Sequence, residues 1–165
     1  MSEVPSYPQD AAQREAGERA SEGAAAYASW GRRLGAYLLD TIILVVPPLL
    51  VIVSVFVADP GEDSAAWYVA LLAYLALIVL PFVYFTFFHG DARGQTPAKR
   101  MLGIRVVSDE TGNRIGYGRA FGRYVITLVF GFLVVPWFVD HLWPLWDRKN
   151  QALHDKIVSS VVVRD

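Results

Sequence analysis

Apolar residues run almost unbroken over 38–58 and again over 65–88. Each run exceeds the roughly 18 mostly apolar residues that a bilayer-crossing helix needs. A third stretch, residues 120–146, is longer but is interrupted by Gly131, Pro136 and Pro144. The pattern predicts an all-α membrane protein with two transmembrane helices, over about 34–58 and 65–88, plus a third broken or re-entrant hydrophobic segment. Pro47 and Pro48 fall near the middle of the first span, where they remove two backbone donors and predict a kink. The second span carries no charged residue, and its aromatic ends (Trp67 and Tyr68, then Tyr84 to Phe88) suit the two interfaces.

Polar segments between the spans set the expected orientation. The connection 59–64 reads DPGEDS, an acidic turn without Lys or Arg, and is expected outside. The loop 89–119 holds Arg93, Lys99, Arg100, Arg105, Arg114 and Arg119, which marks it as cytoplasmic. Arg14, Arg19, Arg32 and Arg33 put the N-terminus on the same side. Within the loop, residues 96–102 read as a short helix with Pro97 in its first turn. Ile104 to Val107 alternates as a strand, the following DETGN is a turn, and Arg114 to Tyr117 is a candidate second strand. A last strand signal, Ile157 to Val163, finds its natural partner in Ile104–Val107, which together make a small cytoplasmic β element.

That pairing constrains the third stretch. A single crossing over 120–146 would carry the last strand, with Arg148, Lys149, Lys156 and Arg164, to the outside. A hairpin turning near 132–136 would return it to the cytoplasm, and each half would then reach only about 15–18 Å. Re-entrant backbone is tolerated where protein covers it. Both arrangements fit the sequence, and the charge bias favours the hairpin.

The chain has 165 residues, 54% of them hydrophobic and 13% aromatic, enough for one small membrane domain (29–163) behind a tail (1–28). The tail lacks an apolar core and a cleavage site, so the expectation is a disordered cytoplasmic segment ahead of an uncleaved first span. A formal net charge of -1 excludes bulk attraction to nucleic acid. With no cysteine there is no disulfide, thiolate metal site or cysteine nucleophile.

Candidate chemistry concentrates on charges near the membrane. Arg33, Tyr37 and Asp40 share one face of the first helix. A carboxylate at a helix centre costs about 2.5–3.5 kcal/mol on insertion scales, so Asp40 asks for a reason. It is either a headgroup-level aspartate beside a snorkelling arginine, or a buried ion pair or proton-accepting group facing another element. Arg33 and Asp40 are separated by about 10 Å of helix rise, which leaves room for a third group to bridge them. His154-Asp155 and Trp146-Asp147-Arg148 are the candidates for it. Asp140-His141 lies beside Trp137 and Trp143 and reads as an interfacial cluster. No metal site, cofactor or catalytic constellation is expected, and residues 90–96 lack the ending of a phosphate-cradling loop. Their basic character suits anionic lipid headgroups or ordinary positive-inside bias.

These residues together resemble the RDD family of small bacterial membrane proteins, over about residues 29–163. The resemblance rests on RRLGAYLLD with Arg33 and Asp40, and on GQTPAKRMLGIRVV with Gln95, Thr96 and Lys99. The third mark is RKNQALHDKIVSSVVV with His154 and Asp155. It implies that Arg33, Asp40 and Asp155 are the arginine and two aspartates for which the family is named. It also implies a multi-pass protein of the bacterial plasma membrane; that it is not an enzyme is expected because no nucleophile–base or metal constellation is present. Pro97, where members often carry an apolar residue, and Pro47-Pro48 depart from the pattern without touching those charges. Transport, including cation/proton exchange, has been suggested for members, and accessory or scaffolding roles fit as well. The expected activity is that of an accessory or interaction protein; the alternative is a small oligomeric cation/proton transporter using Asp40. Expected partners are the bilayer, anionic headgroups, further copies of the chain or other membrane proteins, and not nucleic acid.

Overall fold

The structure is a computed structural model, and it describes residues 26–165. The disordered tail expected from the sequence therefore lies almost wholly outside the described residues. Its last expected residues are ordered. Tyr27 bridges Val163, and the Ala28 N–H donates to the Val162 carbonyl at 2.9 Å.

Two long helices dominate, α1 (Trp30–Ala58) and α2 (Ala66–Gly90). Both are long and apolar enough to cross a membrane. Their apolar side chains do not form a protein core: Leu50, Val57 and Leu72 are 61%, 80% and 65% exposed. A continuous apolar surface of that kind is unsuited to water and suited to lipid. Helix α1 continues through Pro47 and Pro48, and α2 through Pro81. At the far end Asp59 takes a left-handed conformation (φ 42°) and its N–H caps the Val55 carbonyl.

After α2 the chain crosses under the two helices. Gly94 has φ 62°, and an added Cβ would lie 2.2 Å from the Val106 carbonyl oxygen, so only glycine fits there. That close approach lets the Gly94 carbonyl accept from the Val106 N–H at 2.8 Å. Thr96 then caps α3 (Pro97–Met101), accepting from the Lys99 N–H at 3.2 Å, with Pro97 in the first turn. Strand β1 (Ile104–Ser108) follows and pairs antiparallel with β2 (Ser160–Arg164), Val106 opposite Val162.

The expected strand at Arg114 to Tyr117 is absent. Backbone bonds from Ser108 to Asn113 and from Gly112 to Ser108 close the turn on itself. Helix α4 (Gly116–Gly131) starts at once from Gly116, at φ 75°. The last strand also begins later than its apolar run. Leu153–Ile157 forms a one-turn helix, α6, because the Asp155 carboxylate accepts from the Ala152 N–H at 3.1 Å and nucleates it.

Helix α4 breaks at Phe132 and Leu133, and α5 (Val134–Leu142) packs back against it. The third stretch is therefore a helical hairpin whose two ends lie at the same end of the molecule. This geometry is what allows β2 to reach β1. A small core of Ala28, Ala36, Ala98, Ile104, Val106, Ile115, Ala120 and Val162 joins the sheet to the bases of α1 and α4, with Leu39 and Leu102 packed on it.

Candidate functional site

At the sheet end of the helices three aspartates, Asp40, Asp140 and Asp155, are completely buried. A buried carboxylate is stable only when its oxygens are fully bonded. Each of the three meets that demand with a different set of elements.

Asp155, on α6, is the electrostatic centre. Its Oδ2 accepts from the Arg33 guanidinium on α1 at 2.6 Å, and its Oδ1 forms an ion pair with that of Arg123 on α4 at 2.7 Å. Ser160 on β2 approaches Oδ1 at 3.3 Å. Burial pushes this carboxyl up, but the charges of Arg123 and Arg33 outweigh it and hold Asp155 well below the usual carboxylate range.

Asp140, on α5, receives the His154 backbone N–H at 2.8 Å and the His154 Nδ1 at 2.7 Å. The other ring nitrogen, Nε2, lies 3.2 Å from an Arg123 amino group. A guanidinium only donates, so Nε2 accepts and the ring proton sits on Nδ1, donated to Asp140. Both nitrogens of His154 are thereby engaged, in a chain from Asp140 through His154 to Arg123 and Asp155.

Asp40, on α1, is held without any arginine among the described residues. Tyr84 on α2 donates its hydroxyl to Oδ1 at 2.6 Å, and Thr96 donates to Oδ2 at 2.6 Å. The Ala98 N–H in the first turn of α3 adds a third bond at 3.3 Å. Thr96 serves two ends: its hydroxyl proton goes to Asp40 while its oxygen caps α3.

A profile described as the RDD family matches residues 27–159. The chain belongs to the RDD family. A proline-rich antigen homolog of Mycobacterium tuberculosis is 39% identical over 70 residues, 42% of this chain and 28% of that protein. A proline-rich antigen of Mycobacterium leprae is 28% identical over 153 residues, covering 82% of this chain and 60% of its own length. The uncharacterized protein YckC of Bacillus subtilis is 33% identical over 132 residues, 79% of this chain and 80% of its own. The chain thus spans under two thirds of both mycobacterial relatives. No solved structure matches.

Arg33, Asp40 and Asp155, the trio that the resemblance implied, do not form a single cluster. Arg33 reaches Asp155 across 122 positions of sequence, whereas Asp40 turns away to Tyr84 and Thr96. Among the described residues no third group bridges Arg33 to Asp40. Gln95 is elsewhere, donating to the Ile104 carbonyl and to Asp165 at the sheet edge. Tyr37 packs edge-on against the His141 ring, with centroids 5.4 Å apart. Asp147 turns to Lys156 and to the backbone of Lys149 and Gln151.

Four participants escaped the sequence reading: Arg123, Asp140 in its buried role, Tyr84 and His89. Arg123 had a legible signal as the single charge in an otherwise apolar run from Ala120 to Val139. Tyr84 had none, because an interfacial aromatic and an aspartate's donor look alike in sequence.

A cavity of about 330 Å³ opens beside these networks, between α1 and the α4–α5 hairpin. Helix α2 packs on both α1 and α4 and closes its back. Trp30 closes its base by donating to the His141 carbonyl at 2.8 Å. Arg33, Lys99 and Arg123 line it, with His89 and His154. Lys99 is 93% buried by its 7% exposure, and its ammonium has no partner among the described residues. Burial, followed by the nearby Arg123 charge, brings its pKa down to about 8 against the pull of Asp40 and Asp155.

Proposed function

We propose that this RDD protein is a non-catalytic accessory or interaction protein of the bacterial plasma membrane. In this reading the N-terminus, the 89–119 loop and the C-terminal strand share the cytoplasmic side, and the α4–α5 hairpin re-enters the membrane from there. The carrying observation is the enclosure of Asp40. Its two oxygens accept three short-range bonds from α2 and α3, it has no exposed surface, and it does not line the cavity. A carboxylate that alternates between a proton and a cation must be reachable by both. Asp40 instead ties two spans to the cytoplasmic cap, as Asp155 ties α1 and α4 to α6. The apolar outer faces of α1 and α2 remain for lipid, for further copies or for other membrane proteins. The antigen and uncharacterized relatives carry no name that points to catalysis.

The test is Asp40→Asn, produced as the full chain and reconstituted in proteoliposomes. Lower yield and lower thermal stability in detergent, with no cation-dependent proton flux in the parent, are expected. A normally stable variant that abolishes such a flux would establish the transport alternative. Orientation is tested with single cysteines, since the chain has none. Arg164→Cys should resist a membrane-impermeant thiol reagent in intact cells, and Glu62→Cys should react.

A further inference from the structure

The charges around the cavity are sided. Every carboxylate of the buried networks lies behind the wall, and the ionised groups that line the cavity are all cations: Arg33, Lys99 and Arg123. Two of these share Asp155, while the Lys99 ammonium has no partner among the described residues. His89, 5% exposed, also faces this wall, with its Nε2 buried and without a hydrogen bond among the described residues. A buried polar atom without a partner, as His89 Nε2 is, costs stability, and a polar group entering the cavity could satisfy it while meeting the Lys99 ammonium.

The remaining lining grades from polar to apolar along the helices. On α1 it passes from Trp30 and Arg33 through Tyr37 and Thr41 to Leu44 and Val45, about 22 Å of helix. On α4 it passes from Arg123 through Tyr124 and Thr127 to Leu128 and Gly131. The cationic end sits by the sheet, and the apolar end lies toward the middle of the spans. Gly131 has open space where a side chain would be, and Leu128 is 45% exposed, so this end is a mouth.

We propose that this cavity binds an anionic amphiphile, its phosphate-type head against Lys99, Arg123 and His89 and its acyl chain leaving past Leu128 and Gly131. The polarity gradient selects this ligand class over a simple anion, because half of the lining offers no polar contact. Its direction matches that of a lipid in the leaflet nearest the sheet. A volume of about 330 Å³ is at the small end of ligand sites, which run from about 300 to 1,000 Å³. It accommodates a head and the start of one chain, with the rest lying in the bilayer. The inference goes beyond the accessory role and does not depend on how Asp40 acts.

The full chain in dodecyl maltoside micelles at pH 7 is titrated with dodecyl phosphate, and thermal unfolding is followed. A saturable rise in melting temperature is expected, with inorganic phosphate and dodecanol each at least tenfold less effective at equal concentration. Equal potency of inorganic phosphate would identify a free-anion site, and equal potency of dodecanol a nonspecific apolar effect; either overturns the proposal. Lys99→Met should weaken the dodecyl phosphate response tenfold or more, and Lys99→Arg should restore most of it. An unchanged response in Lys99→Met overturns the assignment. Should Lys99→Met fail to fold, Gly131→Trp at the exposed mouth serves instead. It is expected to reduce the dodecyl phosphate response at least fivefold, and an undiminished response would rule out this route for the chain.

Discussion

Asp155 and Lys99 are buried in the same polar layer, a helix apart, and their surroundings are opposite. Asp155 meets two guanidinium groups, a hydroxyl and a backbone N–H, and its carboxyl is held well below its usual range. The Lys99 ammonium has no hydrogen-bond partner among the described residues, and burial beside Arg123 pushes it down to about 8. The same burial penalty acts on both groups; only the carboxylate is compensated. A group whose bonds are complete within the chain holds the fold together, whereas a buried charge left incomplete costs stability and is kept for what it can bind. Asp40 and Asp140 stand with Asp155, and His89 with Lys99.

The largest effect should come from breaking the completed side. Asp155→Asn leaves Arg33 and Arg123 buried around a neutral amide, which should lower stability by about 3–5 kcal/mol. Thermal unfolding in detergent would measure it. Because the folded carboxyl is held below its unfolded value, its contribution is present above about pH 4 and lost as pH falls further. The gap between parent and variant should therefore narrow on acidification. A gap independent of pH would show that Asp155 acts through shape and not charge.

An intermediate effect is expected where the bonds to a carboxylate are neutral. Tyr84→Phe and Thr96→Val each remove one hydroxyl from Asp40 and should each cost about 1–2 kcal/mol. The double variant should cost more than the sum, because both hydroxyls serve one carboxylate and the remaining N–H is longer. Simple additivity in equilibrium unfolding would separate the two hydroxyls energetically and weaken the account of Asp40 as one unit.

The smallest effect, and the sharpest contrast, belongs to Lys99. Replacing it by methionine should be neutral or stabilising by about 1 kcal/mol at pH 7, since an uncompensated buried charge is removed. Its pH dependence has the same sign as that of Asp155 and falls in the alkaline range instead of the acid one. Its folded pKa of about 8 lies below the unfolded 10.5, so the unfolded chain holds the proton more tightly between those values. Stability of the parent, relative to Lys99→Met, should rise across that window and stay level below it. Clear destabilisation by Lys99→Met at pH 7 would place Lys99 among the completed groups.

Much of the architecture was legible along the chain. The spans, the short helix at Pro97, the break near Phe132 and the pairing of the Ile104 strand with the last strand all appear where composition and turn chemistry put them. These features follow from quantities summed over neighbouring residues: the transfer of an apolar run into lipid, the loss of a donor at proline, the side-to-side alternation of a strand. Even the return of the third stretch could be argued, because two strands must meet. The choice of partners could not. Arg33 and Asp40 share a helix face and are drawn to different elements, and Arg123, Asp140 and Tyr84 complete networks that no local pattern announces. Contacts across 14 to 122 positions are decided by which helix packs on which and at what depth. The sequence by itself therefore determined that this protein carries two helices long and apolar enough to cross a membrane, and where its third stretch breaks. Only the tertiary structure decided which of its buried charges are satisfied and which face an open cavity, because desolvation and pairing depend on distances in space.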